Sequence, residues 1–188
     1  MLSPRRLVHC LVLCLVLPLW WGAHPDASLA HGPARVAVLG PAPANCPPAP
    51  APQRFAPKVF GPGVGGAPVW AVFGGQSAVL PGEPHSTVSP PHTRNGWQMK
   101  ILWALAPATT DTVTLRGWNL STGKRVVFGL SDVAGNGKVG MLDPRSGGGN
   151  PDGWGGFPSD EYFPSAGCYV LFAQWHTGSW IVPFAFGR

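Results

Sequence analysis

Charge is scarce in this chain. Asp, Glu, Lys and Arg make up 11% of its 188 residues, and the thirteen Lys and Arg are scattered. A nucleic-acid binder needs a basic stripe with interleaved aromatics, so no nucleic-acid partner is expected. Helical periodicity is missing too. Outside the N-terminal segment, no window of ten residues spaces its apolar side chains three and four apart. There is no Gly-x-Ser-x-Gly elbow and no His-Glu-x-x-His, the patterns of a nucleophilic serine and a zinc hydrolase. The longest apolar run, residues 7–21, has fifteen residues. A membrane-spanning helix needs ~20, so no stable transmembrane anchor is expected.

That run belongs to a different device. Ser3-Pro4-Arg5-Arg6 is a basic start, the apolar stretch follows, and Ser28-Leu29-Ala30 places small residues two apart. This three-part build is a secretory signal peptide over residues 1–30, cut after Ala30. Cys10 and Cys14 lie early in the apolar run, and Leu11-Val12-Leu13 before Cys14 lacks the small residue that lipid attachment requires. The mature chain is therefore expected to be secreted or extracytoplasmic.

Cleavage leaves 158 residues, eleven Lys/Arg and seven Asp/Glu, a net charge of +4. That length suits one domain with a real core. Cys46 and Cys168 remain as a single pair. An oxidising compartment favours a structural disulfide between them. Two buried thiols, or a bond to another chain, are the alternatives.

Residues 31–68 form a Pro/Ala/Gly-rich segment, with nine prolines between 41 and 68. Proline removes backbone donors and fixes φ, so this stretch is expected to be extended. Residues 69–188 read as the folded domain. Residues 69–73 predict a strand, with residues 77–80 as a hairpin partner across Gly74-Gly75. The strongest strand is 97–105, where Trp97, Met99, Ile101, Trp103 and Leu105 share one parity. Residues 112–118 alternate again, 124–130 and 139–142 are further strands, and 167–175 with 179–186 form a C-terminal hairpin. Residues 143–158, with six glycines, read as a long loop. About seven short strands indicate an all-β, antiparallel, Ig-like sandwich. Met99, Ile101, Trp103, Val113, Leu115, Val170 and Phe172 are its expected core.

Short spaced motifs carry a resemblance. They are Asn45-Cys46-Pro47, the Trp70 strand, Gly96-Trp97-Gln98-Met99-Lys100-Ile101-Leu102-Trp103, Val113-Thr114-Leu115-Arg116-Gly117-Trp118, and Phe163-Pro164-Ser165-Ala166-Gly167-Cys168-Tyr169. The chain resembles a group of uncharacterised exported bacterial proteins. In that group a Cys-Pro near the mature start and a Pro-x-x-Gly-Cys-aromatic strand near the end recur around a β-sandwich. The resemblance implies the fold and a disulfide, and no assigned activity.

No catalytic set, metal site or cofactor emerges. His85 and His92 share a loop without a third ligand. Asp160 and Glu161 are adjacent and would point to opposite faces of a strand, whereas a glycosidase holds two carboxylates across one cleft. Asp132, Asn136, Asp143, Asn150, Asp152 and Asp160 show no calcium-loop spacing and read as turn formers. Of the seven mature tryptophans, Trp97, Trp103 and Trp180 read as core, and Trp154, inside the glycine loop, is the candidate ligand-contact ring. The expected role is a non-enzymatic module for binding or structure at the bacterial envelope or outside the cell. The partner is an unknown envelope protein or polysaccharide. A carbohydrate-binding module using exposed Trp side chains and an envelope-polymer hydrolase are the alternatives.

Overall fold

The computed structural model describes residues 37–55, 60–73, 78–80, 89–129, 134–135, 137–146, 148–149 and 152–188. The expected export signal, residues 1–30, lies outside the described residues. The described chain is all-β. Its strands are β1 (Val64–Gly66), β2 (Val69–Phe73), β3 (Ala78–Val79), β4 (His92–Thr93), β5 (Gly96–Leu105), β6 (Val113–Asn119) and β7 (Val127–Gly129). They continue with β8 (Ala134–Gly135), β9 (Gly140–Leu142), β10 (Gly148–Gly149), β11 (Gly155–Phe163), β12 (Gly167–Trp175) and β13 (Gly178–Phe186).

Two antiparallel sheets pack as a sandwich. The first runs β1-β2-β5-β11-β10, with β4 on β5 and β7 on β11; the second runs β3-β13-β12-β6-β9-β8. Period-two alternation sorts the side chains. Trp97, Met99, Ile101, Trp103 and Leu105 of β5 are buried, as are Val113 and Leu115 of β6. Rings fill the space between the sheets. Phe163 stacks on Phe186 at 4.3 Å, Tyr169 meets Phe163 edge-on at 5.0 Å, and Phe73 meets Phe184 at 5.2 Å. Such rings dominate core energetics, and truncating one to Ala costs ~3–5 kcal/mol.

Trp180 locks the sheets together at one edge. Its indole Nε1 donates to the Val69 carbonyl at 2.8 Å, and its ring lies over Gly65. That glycine has φ 118°, and a Cβ there would sit 2.9 Å from the ring. Only glycine combines this backbone with so close an approach.

The structure differs from the sequence reading at four places. β2 and β3 do not form a hairpin: β2 pairs β1 and β5, while β3 pairs β13 in the other sheet. The end of the expected 143–158 loop starts β11, a nine-residue strand paired along its length with β5. Pro158 sits opposite Leu102, and on its other flank it falls in the gap between the β7 and β10 pairings. A residue with no N–H is tolerated at such an unpaired stretch. Phe172 is half-buried and shares the outward parity of β12 with Val170 and Gln174; the inward set is Tyr169, Leu171 and Ala173.

Fourth, the proline-rich segment carries structure of its own. Leu39 is 1% exposed within the core. Arg188 donates its N–H to the Gly40 carbonyl at 3.1 Å, Cys46 is disulfide-bonded to Cys168, and Gln53 bridges Gly63. β1 then adds an edge strand, a position proline-rich chain permits. The segment straps the sandwich, tied to the second sheet through Cys168 and to the first through β1 and the Phe55–Trp70 stack.

Candidate binding surfaces

The chemistry-bearing side chains divide between the core and the two outer faces. In the core, the inward parity of β11 is Phe157, Ser159, Glu161 and Phe163, so an acid lies among rings. Glu161 is 0% exposed. Trp103 Nε1 donates to Glu161 Oε1 at 3.0 Å and shares its proton with Ser159 Oγ at 2.9 Å. Ser159 Oγ also lies against Glu161 Oε1 and is 3.1 Å from the Ile101 carbonyl. Glu161 Oε2 has no partner among the described residues. Loss of solvation pushes this carboxyl up to about 8, against the opposing pull of Ser159 and Trp103. Protonation also makes the network consistent. The carboxylic O–H donates to Ser159, which frees the single Ser159 proton for the Ile101 carbonyl.

Asp160 points the other way. The adjacent carboxylates therefore do not share a cleft. Asp160 lines a depression of about 820 Å³ on the outer face of the first sheet. Val72, Leu102 and Pro158 form its apolar floor, and Lys100, opposite Asp160, and Tyr162 mark its polar end. Asp143 is held below the ordinary carboxylate range by its hydrogen bond from Arg145, whose Nη2 lies 2.8 Å away on the surface.

Trp154, the ring singled out from sequence, packs in an aromatic cluster on that same outer face. It is 9% exposed. Its centroid is 5.4 Å from that of Trp70, 5.5 Å from Phe55 and 6.2 Å from Phe60. Phe55 itself stacks on Trp70 at 4.7 Å, 4° from parallel. Trp154 thus clamps the strap against the first sheet.

The outer face of the second sheet is laid out by register. Gln174 of β12 lies between Thr114 of β6 and Ser179 of β13, a polar row. Phe172 lies between Arg116 and Ile181. Val170 lies between Trp118 and Pro183, an apolar row. Ile181 is 55% exposed, while Phe172, Trp118 and Pro183 are half-buried. Arg125, bridged to Trp118, carries its guanidinium 5.6 Å from the indole centroid, within cation–π range. Arg116 reaches Gln174 only weakly, at 3.5 Å. Neither arginine forms an ion pair among the described residues. This face can stack flat apolar groups and bind anions.

Among the described residues no group of three or more His, Cys, Asp and Glu is placed to hold a metal. Glu83, His85, Asp132, Asn136 and Asn150 lie outside the described residues. Sequence reasoning brought Cys46 and Cys168 together correctly, 5.2 Å apart at Cα. It missed Glu161 as a core acid and the lattice on the second sheet. Alternation of Phe157, Ser159, Glu161 and Phe163 was the available signal for the first. Comparison with known proteins returned no match: no family model fits the chain, and no curated protein or solved structure is detectably similar.

Proposed function

We propose that this chain is an exported, non-enzymatic, Ig-like sandwich that acts in binding or structure at the bacterial envelope or outside the cell. The proposal keeps the resemblance to exported proteins with a Cys-Pro near the start and a Gly-Cys-aromatic hairpin near the end. The outer face of the second sheet carries the reading: an ordered row of aromatic and aliphatic side chains beside two guanidinium groups, presented outward rather than packed in the core. The Cys46–Cys168 bond supports an oxidising compartment. Tyr169 supports the Ig-like assignment, because its O–H donates to the Ser165 carbonyl at 2.8 Å, a corner bond of the kind such sandwiches use. Sealing of Glu161 in the core supports a non-catalytic role, since its carboxyl does not meet solvent.

The test is co-sedimentation of the mature protein with isolated envelopes of the producing bacterium. Wild type is expected in the pellet. The Phe172→Ser/Ile181→Ser double variant, with its melting curve checked, is expected in the supernatant. Equal sedimentation of both proteins would remove this face from the binding function.

Carbohydrate binding is the second reading. The observation that favours it is that Trp118 and Phe172 are outward rings flanked by the hydrogen-bonding groups Gln174, Thr114 and Arg116.

A further inference from the structure

Resting on the binding-module reading, we infer that the second sheet's outer face takes an acidic polysaccharide, one whose sugars carry carboxylates. Two guanidinium groups flank Trp118. Arg125 is bridged to it across the sheet edge, and Arg116 lies two residues away on the same face of β6. Neither meets a carboxylate among the described residues. The outward positions of β3, β13, β12, β6 and β9 hold no acid at all. Buried Glu161 and outward Asp160 belong to the first sheet, and Asp143 is already paired with Arg145. Among the described residues the outward strand positions of this face are therefore positive with no facing acid, and their complement is an anion. Arginine's planar fork matches a carboxylate in two parallel hydrogen bonds.

The rings specify what carries the anion. Trp118 and Phe172 are outward, half-buried rings, with Val170 between Trp118 and Pro183 only 4% exposed. Such rings stack against the C–H face of a pyranose. The three central strands, ~4.8 Å apart, and three rows ~6.8 Å apart cover about 300 Å², room for a few sugar units of an acidic chain. Gln174, Thr114 and Ser179, the polar row, then meet hydroxyl groups.

The experiment titrates the mature, disulfide-bonded protein with polygalacturonate, with its fully methyl-esterified neutral form, and with phosphatidylglycerol vesicles. Binding to polygalacturonate is expected, weakening as salt rises. The ester is expected to bind at least about tenfold more weakly, because a hydrogen bond to a charged group is lost. Arg116→Gln and Arg125→Gln, surface changes that leave the core intact, are each expected to lower the affinity about tenfold. Equal affinity for acid and ester, or unchanged affinity in both arginine variants, would overturn the inference. Capture of the vesicles but not of polygalacturonate would replace the glycan with an anionic membrane surface. Envelope sedimentation without polygalacturonate binding would overturn the acidic-glycan assignment and leave the binding module standing. Absence of both would remove both.

Discussion

The indole N–H of Trp103 donates to Glu161 at 3.0 Å, and both side chains are 0% exposed. Their strands, β5 and β11, are adjacent in the first sheet, so the bond lies inside the sandwich. A buried carboxylate without a cation is very costly, and a protonated one is tolerable. The core is therefore built around a neutral acid that bonds the Ser159 hydroxyl, which in turn donates to the Ile101 carbonyl.

This acid makes stability depend on pH. Burial raises the Glu161 carboxyl from 4.5 to about 8 in the folded chain. The folded state then keeps a proton that the unfolded state releases. Its contribution is fully present below pH 4.5, falls as pH rises toward 8, and is flat above that. The loss is on the order of 5 kcal/mol at most across that window. Melting temperatures between pH 5 and 8.5 should decline in wild type and stay nearly level in Glu161→Gln, which keeps the shape without the titration. Parallel profiles for the two proteins would mean that Glu161 does not titrate there.

Reduction of Cys46–Cys168 should lower stability clearly. The bond joins residues 122 apart in sequence. The chain-entropy model assigns ~5 kcal/mol to a loop that long, an upper figure because structure in the unfolded chain reduces it. Thermal melts with and without reductant measure the loss, and thiol labelling of unreduced protein should find no free cysteine after cleavage of the signal.

Phe55→Ala should free one end of the strap and spare the sandwich. The variant loses the 4.7 Å stack on Trp70 but keeps the cysteine tether. Aromatic pairs contribute ~0.5–1.5 kcal/mol beyond area burial, so the melting point should drop only slightly. Limited proteolysis should cut between residues 47 and 62 faster than in wild type, leaving β2 to β13 intact. Unchanged cleavage would show that Phe55 does not hold the strap.

Export should leave His31 as the N-terminus. Ser28-Leu29-Ala30 is the processing signature. N-terminal sequencing of protein from the medium or envelope checks this, and full-length chain in the cytoplasm would contradict it.

The alternating strands were legible because one parity was consistently apolar, as in Trp97 to Leu105 and Val113 to Trp118. The disulfide followed from cysteine arithmetic after removal of the signal. β11 was not legible. Gly155, Gly156, Pro158, Asp160 and Glu161 are all poor strand formers, and tertiary pairing with β5 overrides their propensity. The orientation of Phe172 was hidden for another reason. Residues 168–173 are apolar on both parities, so period two alone does not say which face meets the core. Sheet membership was also out of reach, since β2 and β3 are neighbours in sequence and lie in different sheets. The lattice of Arg116, Trp118, Phe172 and Ile181 exists only through cross-strand register, which no single strand encodes.

Chemical-shift mapping tests the central claim, binding through the second sheet's outer face, most directly. Backbone amide shifts of the isotope-labelled mature protein would be followed while polysaccharide from the proposed bacterial envelope is added. Saturable changes clustered at residues 114–118, 125, 170–174 and 179–183 are expected. Changes clustered instead around Val72, Lys100, Asp160 and Tyr162 on the first sheet, or no changes at all, would contradict that claim.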